Sequence, residues 1–226
     1  MRNAIPNILT AVNIVLGMFA IIFTFQGEFT CSALLIIAAL VADGLDGRVA
    51  RYFGVSSDFG KELDSLCDLV SFGVAPAILA YAFMLKDFGM AGYIIAAAFA
   101  TCGALRLARF NVNTGSVKGY FMGLPIPTAG CVVATFVILG MKPSGWIFPL
   151  MVAIFAYLMV STIRYPDFKG KGGEPVRLIP VAISVAVGVY ILFLTLNAVL
   201  FVPFFVYSLF GILNTLFGLF DRHSAT

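Results

Sequence analysis

Residues 43–68 read DGLDGRVARYFGVSSDFGKELDSLCD. This run holds six of the eleven Asp and Glu residues of a 226-residue chain in which only 11% of residues are charged. Apolar sequence flanks it, CSALLIIAALVA (31–42) before and LVSFGVAPAILAYAFML (69–85) after. The stretch decides the fold because it belongs to two helices at once, with a turn around YFGVSSDF (52–59) between them. Laid on a helix at about 100° per residue, Asp43, Asp46, Gly47 and Ala50 share one arc, Arg51 lies at its edge, and Leu45 and Val49 point away. On a second helix over 60–75, Gly60, Asp64, Asp68, Ser71 and Ala75 form one stripe, and Glu62 faces the other way. The short link makes the two helices antiparallel neighbours, so four carboxylates converge on one space.

The chain as a whole is 61% hydrophobic, with a mean hydropathy of +1.03. A soluble domain carries about 25% charged residues, more than twice the share here. A helix needs about 20 apolar residues to cross a bilayer. Eight segments meet that need: 6–26, 32–53, 62–84, 90–110, 121–140, 146–163, 177–197 and 200–219. The expectation is an all-α, polytopic integral membrane helical bundle of about eight transmembrane helices. The last two come from one long apolar run, divided near Asn197 and Pro203. The segments lack the alternation of a transmembrane barrel. The first reads as a true span, because it runs too long for a cleavable signal and lacks a small-residue cleavage site.

Of the 14 Lys and Arg residues, only Lys86 and Lys142 fall at the ends opposite the aspartates. That bias places both termini in the cytoplasm. It also explains the net charge of +3 without a nucleic-acid partner, with a contribution from anionic headgroups. Cys31, Cys67, Cys102 and Cys131 have no metal-site or disulfide spacing and read as small buried residues. His223, the only histidine, is too near the C-terminus to serve chemistry inside the bundle. RYPDFKGKGGEPVR (164–177) lacks the spacing of a phosphate loop and reads as a cytoplasmic connection.

Intramembrane carboxylates are costly and mark functional sites. Four together must be neutralised by protons or by cations. Short oxygen ligands without His or Cys favour a hard ion such as Mg²⁺, Mn²⁺ or Ca²⁺, and four aspartates suit two ions side by side. Gly47, Ala50 and Gly60 leave room either for a ligand against the backbone or for close helix packing. Arg51 suits the interface, an aspartate partner or a phosphate oxygen. Arg106 and Arg109, three apart, share a helix face that fits a carboxylate or phosphate and equally fits positive-inside anchoring. The proline pair in PIP (125–127) is expected to break or kink a helix at the mouth of the site.

The spacing Asp43, Asp46-Gly47, Ala50-Arg51, Gly60, Asp64, Asp68 matches D-x-x-D-G-x-x-A-R-x(8)-G-x-x-x-D-x-x-x-D with no departure. It resembles the signature of the CDP-alcohol phosphatidyltransferases. PNILTAVNIVLG (6–17), SFGVAPA (71–77), GALRLARFN (103–111), FMGLPIPTAG (121–130) and MVSTIRYPDFK (159–169) are similar to the serine-using branch of that family. The resemblance implies one transmembrane domain over 1–226: a six-helix core over about 1–170, plus two added helices over about 176–220. It implies transfer of a phosphatidyl group from CDP-diacylglycerol to the hydroxyl of L-serine, releasing CMP. Asp43, Asp46 and Asp64 would bind one Mg²⁺ or Mn²⁺, and Asp43, Asp64 and Asp68 a second, with Asp68 also the general base. Gly47, Ala50 and Gly60 would face the nucleotide and Arg51 the diphosphate. Thr10 and Asn13 on the first helix would be further nucleotide contacts or ordinary interhelical hydrogen bonds. Arg106 or Arg109 would hold the serine carboxylate or a lipid phosphate. A homodimer in the cell membrane, its site open to the cytoplasm, is also implied. Glycerol 3-phosphate or an inositol phosphate remains an alternative acceptor. A divalent-cation transporter is the alternative of another class, though the chain shows a single acidic cluster and no inverted repeat.

Overall fold

The computed structural model describes residues 4–54, 57–113, 120–166 and 178–223. Its helices are α1 (Ala4–Phe25), α2 (Phe29–Phe53), α3 (Asp58–Asp68), α4 (Ala75–Phe83), α5 (Met90–Asn113), α6 (Ile126–Ile138), α7 (Ile147–Val160), α8 (Leu178–Leu194) and α9 (Phe201–His223). A π turn over Leu69–Val74 joins α3 and α4 into one rod. A two-stranded antiparallel ribbon pairs β1 (Tyr120–Met122) with β2 (Arg164–Pro166).

Each of the eight apolar segments contains a helix. Four rods are long and apolar enough to cross a membrane: Asn7–Phe25, Phe29–Val49, Asp58–Phe83 and Met90–Val112. The apolar helices over Ile126–Ile138, Ile147–Val160, Leu178–Leu194 and Phe201–Phe217 are shorter. The division of the last apolar run falls where expected, at a 3₁₀ turn over Leu196–Val199.

Two expectations need correction. The segment 121–140 is not helical from its start. Its first residues form β1, and α6 begins only at Ile126, with Pro125 as its N-cap. A proline in the first helical turn lacks an N–H that would have had no partner there. The PIP sequence therefore starts a helix instead of kinking one. Likewise, Arg164–Pro166 is not plain connection but β2, with Phe121 opposite Tyr165; the remainder of that loop, 167–177, lies outside the described residues. Gly123 makes the exit from β1 possible. Its φ is +79°, and a Cβ there would collide with the Met159 carbonyl and the Arg109 guanidinium.

Between helices in lipid, close approach by small residues replaces the hydrophobic drive available in water. Three glycines show this, two of them against the π turn and one between α5 and α6. A Cβ on Gly17 of α1 would strike Ser71, one on Gly130 of α6 would strike the Phe72 main chain, and one on Gly103 of α5 would strike Ile126. Ser71 also donates a hydrogen bond to the Asn13 carbonyl at 2.9 Å. The rod that carries Asp64 and Asp68 is therefore fixed in depth and rotation. Phe72, Leu79, Phe99, Ile126, Val132, Phe148 and Met159 fill the fully buried centre. α8 packs mainly on α9, and α9 packs on α6 and β2.

Candidate active site

The last turns of α2 carry Asp43 and Asp46, and α3 carries Asp64 and Asp68. One carboxylate oxygen from each of Asp43, Asp64 and Asp68 lies within 4.8 Å of the others. Asp46 is not part of this trio. It is buried, accepts a hydrogen bond from Thr10 Oγ1 at 2.8 Å, and stands within electrostatic reach of Asp64. Asn13 Nδ2 donates to Asp68 Oδ1 at 3.1 Å. Thr10 and Asn13 thus make interhelical hydrogen bonds, and their partners are two of the aspartates. α1 works as the helix that orients them.

Buried polar atoms are nearly always hydrogen-bonded. Among the described residues four buried side-chain atoms have no such partner: Asn13 Oδ1, Asp64 Oδ1, Arg106 Nε and, apart on α8, Ser184 Oγ. The first three come from three different helices around the aspartates. A polar space with unmatched donors and acceptors on its walls is shaped for a ligand. The trio offers only carboxylate oxygens, with no His or Cys ligand, which fits a hard divalent cation.

Gly60 lies in the first turn of α3, where its amide donates to the N-cap Ser57 Oγ at 3.0 Å. A Cβ there would come 3.1 Å from Ser57 Oγ and 3.4 Å from Asn7 Oδ1, so Gly60 lets α3 start close against α1. Gly47 is half-buried on α2. The side chains of Ala50 and Arg51 lie outside the described residues. Asp58 and Lys61 form an exposed pair at 3.5 Å, which contributes little.

Arg106 and Arg109, one turn apart on α5, are divided by the structure. Arg106 is 6% exposed, lies with its guanidinium carbon 5.2 Å from the Phe110 ring centroid, and faces Asp68 within electrostatic reach. Arg109 instead gathers main-chain carbonyls. Its Nη1 donates to Val160 at 2.9 Å, and its Nη2 donates to Met122 at 2.9 Å, Ser161 at 3.0 Å and Met159 at 3.2 Å. It ties the end of α7 to β1. Of the two candidates, Arg109 is thus engaged by main-chain carbonyls, whereas Arg106 stands beside Asp68. Sequence reading missed this clamp because the signal lies in carbonyls, which carry no residue identity.

The family model for CDP-alcohol phosphatidyltransferase matches residues 3–163. The chain belongs to the CDP-alcohol phosphatidyltransferase family. Within the curated members of the family, it is 43% identical over 171 residues to the CDP-diacylglycerol–serine O-phosphatidyltransferase of Helicobacter pylori, covering 73% of this chain and 72% of that protein. It is 39% identical over 173 residues to the archaetidylserine synthase of Methanothermobacter thermautotrophicus, covering 76% and 73%. It is 38% identical over 176 residues to the CDP-diacylglycerol–serine O-phosphatidyltransferase of Bacillus subtilis, covering 76% and 95%. In this phosphatidyltransferase all four aspartates, Thr10, Asn13 and both arginines fall inside the family match, whereas β2, α8 and α9 follow its end.

Proposed function

We propose that this phosphatidyltransferase transfers the phosphatidyl group of CDP-diacylglycerol to the hydroxyl of L-serine, giving phosphatidylserine and CMP. The observation that carries the reading is the Asp43–Asp64–Asp68 trio with a buried, partly unpartnered arginine beside it. Asp68 accepts the serine hydroxyl proton as that oxygen bonds to the phosphorus bearing diacylglycerol. The bond from that phosphorus to the CMP oxygen breaks, and CMP leaves with the negative charge. Asn13, donating to Asp68, holds the carboxylate in position for the proton. Arg106 presents its planar fork to the serine carboxylate. By the family resemblance, Gly47, Ala50 and Gly60 would face the nucleotide and Arg51 the diphosphate. Asp43, Asp46 and Asp64 would hold one Mg²⁺ or Mn²⁺, and Asp43, Asp64 and Asp68 a second. Bound there, the cations neutralise diphosphate charge.

The same proposal covers placement. A single domain over 1–226, a core over about 1–170 with added helices over about 176–220, crosses the cell membrane eight times with both termini cytoplasmic. The aspartates, Arg106 and the ribbon share one end of the bundle. Lys86 and Lys142 lie at the other, where Lys142 Nζ stands 5.4 Å from the Phe83 ring centroid. That arrangement supports a site open to the cytoplasm, where serine is dissolved, with acyl chains left in hydrocarbon. The homodimer implied by the resemblance belongs here too, and the mass of the detergent-solubilised protein tests it.

The test of function is CMP release by purified protein from CDP-diacylglycerol, with serine, glycerol 3-phosphate and inositol phosphate compared as acceptors. Serine is expected to support turnover alone, and Asp68→Asn to abolish it while CDP-diacylglycerol still binds. Turnover with another acceptor and none with serine would overturn the acceptor. Turnover by Asp68→Asn within a few-fold of wild type would overturn the base.

A further inference from the structure

The proposed reaction places the acceptor between two helices, with its hydroxyl at Asp68 on α3 and its carboxylate at Arg106 on α5. The spacing of those helices therefore sets how far apart that hydroxyl and carboxylate can be. One end of the spacing is fixed by glycines. α5 packs against the π turn, where a Cβ on Gly103 would stand 3.8 Å from the Gly73 Cα, and one on Gly73 would stand 3.9 Å from the Ala100 carbonyl oxygen. Approach this close holds two helices at one crossing in lipid. Among the described residues, α5 and α3 then draw apart. Phe110, two turns from Gly103 on the same side of α5, is exposed.

The other end is closed by side chains. Asn111 Nδ2 donates to Ser65 Oγ at 3.0 Å, and the Ser65 hydroxyl lies 3.3 Å from Asn111 Oδ1. Asn111 Nδ2 also reaches Glu62 Oε2 at 3.5 Å. Ser65 lies eight residues from Gly73, and Asn111 eight from Gly103. The bridge therefore sits about 12 Å from the crossing along both helices, at 1.5 Å per residue. Buried Asp68 and Arg106 fall between bridge and crossing, one on each helix. Two walls pinned on both sides of these groups hold them at one separation.

We infer that the Ser65–Asn111 bridge determines acceptor specificity, holding α3 and α5 at the spacing that matches the hydroxyl-to-carboxylate reach of L-serine. The inference rests on the proposed roles of Asp68 and Arg106. Ser65 and Asn111 act through the two walls and not by touching the acceptor. A neutral bridge suits this task, because it fixes the spacing without adding a charge beside the aspartates. An acceptor one methylene longer, such as L-homoserine, fits only if the walls part, which the bridge and the glycine crossing oppose. A single methylene changes kcat/KM by about 10–200-fold where a pocket is shaped against it.

The experiment compares wild type, Ser65→Ala, Asn111→Ala and the double variant. CMP release from CDP-diacylglycerol is measured with L-serine and L-homoserine varied in turn, and melting temperature is measured in detergent. Wild type is expected to prefer serine by about tenfold or more in kcat/KM. Ser65→Ala removes one hydroxyl and little volume. It should lower that preference about fivefold, through a higher serine KM and a lower homoserine KM, with the CDP-diacylglycerol KM unchanged. Asn111→Ala should act in the same direction, and the double variant should go no further than the larger single change, because both remove one bridge. Ser65→Ala carries the test by itself if Asn111→Ala does not fold. A Ser65→Ala enzyme that keeps the wild-type preference, whatever its melting temperature, would overturn the inference. So would single effects that multiply in the double variant, or a wild type that uses both acceptors equally. A wild-type enzyme that does not use serine would overturn the acceptor reading, and this inference with it.

Discussion

Replacing Arg109 by Lys separates two explanations for an arginine that sits one turn from the acceptor pocket. Four carbonyls converge on its guanidinium, three from the end of α7 and the chain just after it, and one from β1. A lysine ammonium is a single point on a flexible stem and can satisfy one side of that arrangement but not both. Two bonds are then lost, each worth about 1–1.5 kcal/mol, or about 2–3 kcal/mol together. For a chain of this size that corresponds to a melting temperature lower by about 5–10 °C. The serine KM of the protein that remains folded should stay within about twofold of wild type, since charge is kept and no acceptor contact is removed. Arg106→Lys should do the opposite. It breaks no protein hydrogen bond at Nε, so the melting temperature should hold, while loss of the planar fork raises the serine KM about tenfold or more. Thermal melts and acceptor-varied kinetics on the two purified variants give both readouts. An Arg109→Lys protein that melts like wild type but needs far more serine would refute the clamp and return Arg109 to the pocket.

Thr10→Val removes the donor to Asp46 without changing side-chain shape, and should weaken Mn²⁺ binding about fivefold, at about 1 kcal/mol for the lost bond; equilibrium dialysis of the chelated, metal-free protein measures it, and unchanged affinity would detach Asp46 from the metal site. Gly17→Ala places a methyl where Ser71 already stands, so it should lower both the melting temperature and turnover, by forcing α1 off the π turn; a stable, fully active variant would show that this approach is not needed.

What the sequence disclosed depended on how local each signal was. Spacings of three and four residues put Asp43 with Asp46 and Asp64 with Asp68 on helix faces, and in the structure one member of each pair, Asp46 and Asp68, has a hydrogen-bond partner on α1. Which oxygens gather was not local. Asp46 is drawn aside by Thr10, a residue 36 positions away. Thr10 and Asn13 stood out as polar residues in an apolar helix, but whether they met nucleotide or carboxylate depended on packing between helices. The ribbon was illegible because three-residue strands have no periodicity to detect, and their pairing depends on chain far apart. Arg106 and Arg109 were indistinguishable as letters. Only their surroundings, Asp68 and the Phe110 ring for one and bare carbonyls for the other, assign them separate tasks.

The π turn after Asp68 gives the long rod two independent angular phases. Above it, Ala75, Ala77, Leu79, Ala80 and Phe83 are turned into the bundle centre. Below it, Asp64 and Asp68 are turned toward α1 and α2. One regular helix would impose a single phase on both halves. Winding the same residues, Leu69–Val74, as ordinary α-helix would swing everything beneath them by about 100°. The chain would keep its composition, its hydropathy and its place in the bilayer, yet the carboxylates would face lipid. Chemistry in this protein is thus tied to the winding of a segment that carries no charge at all.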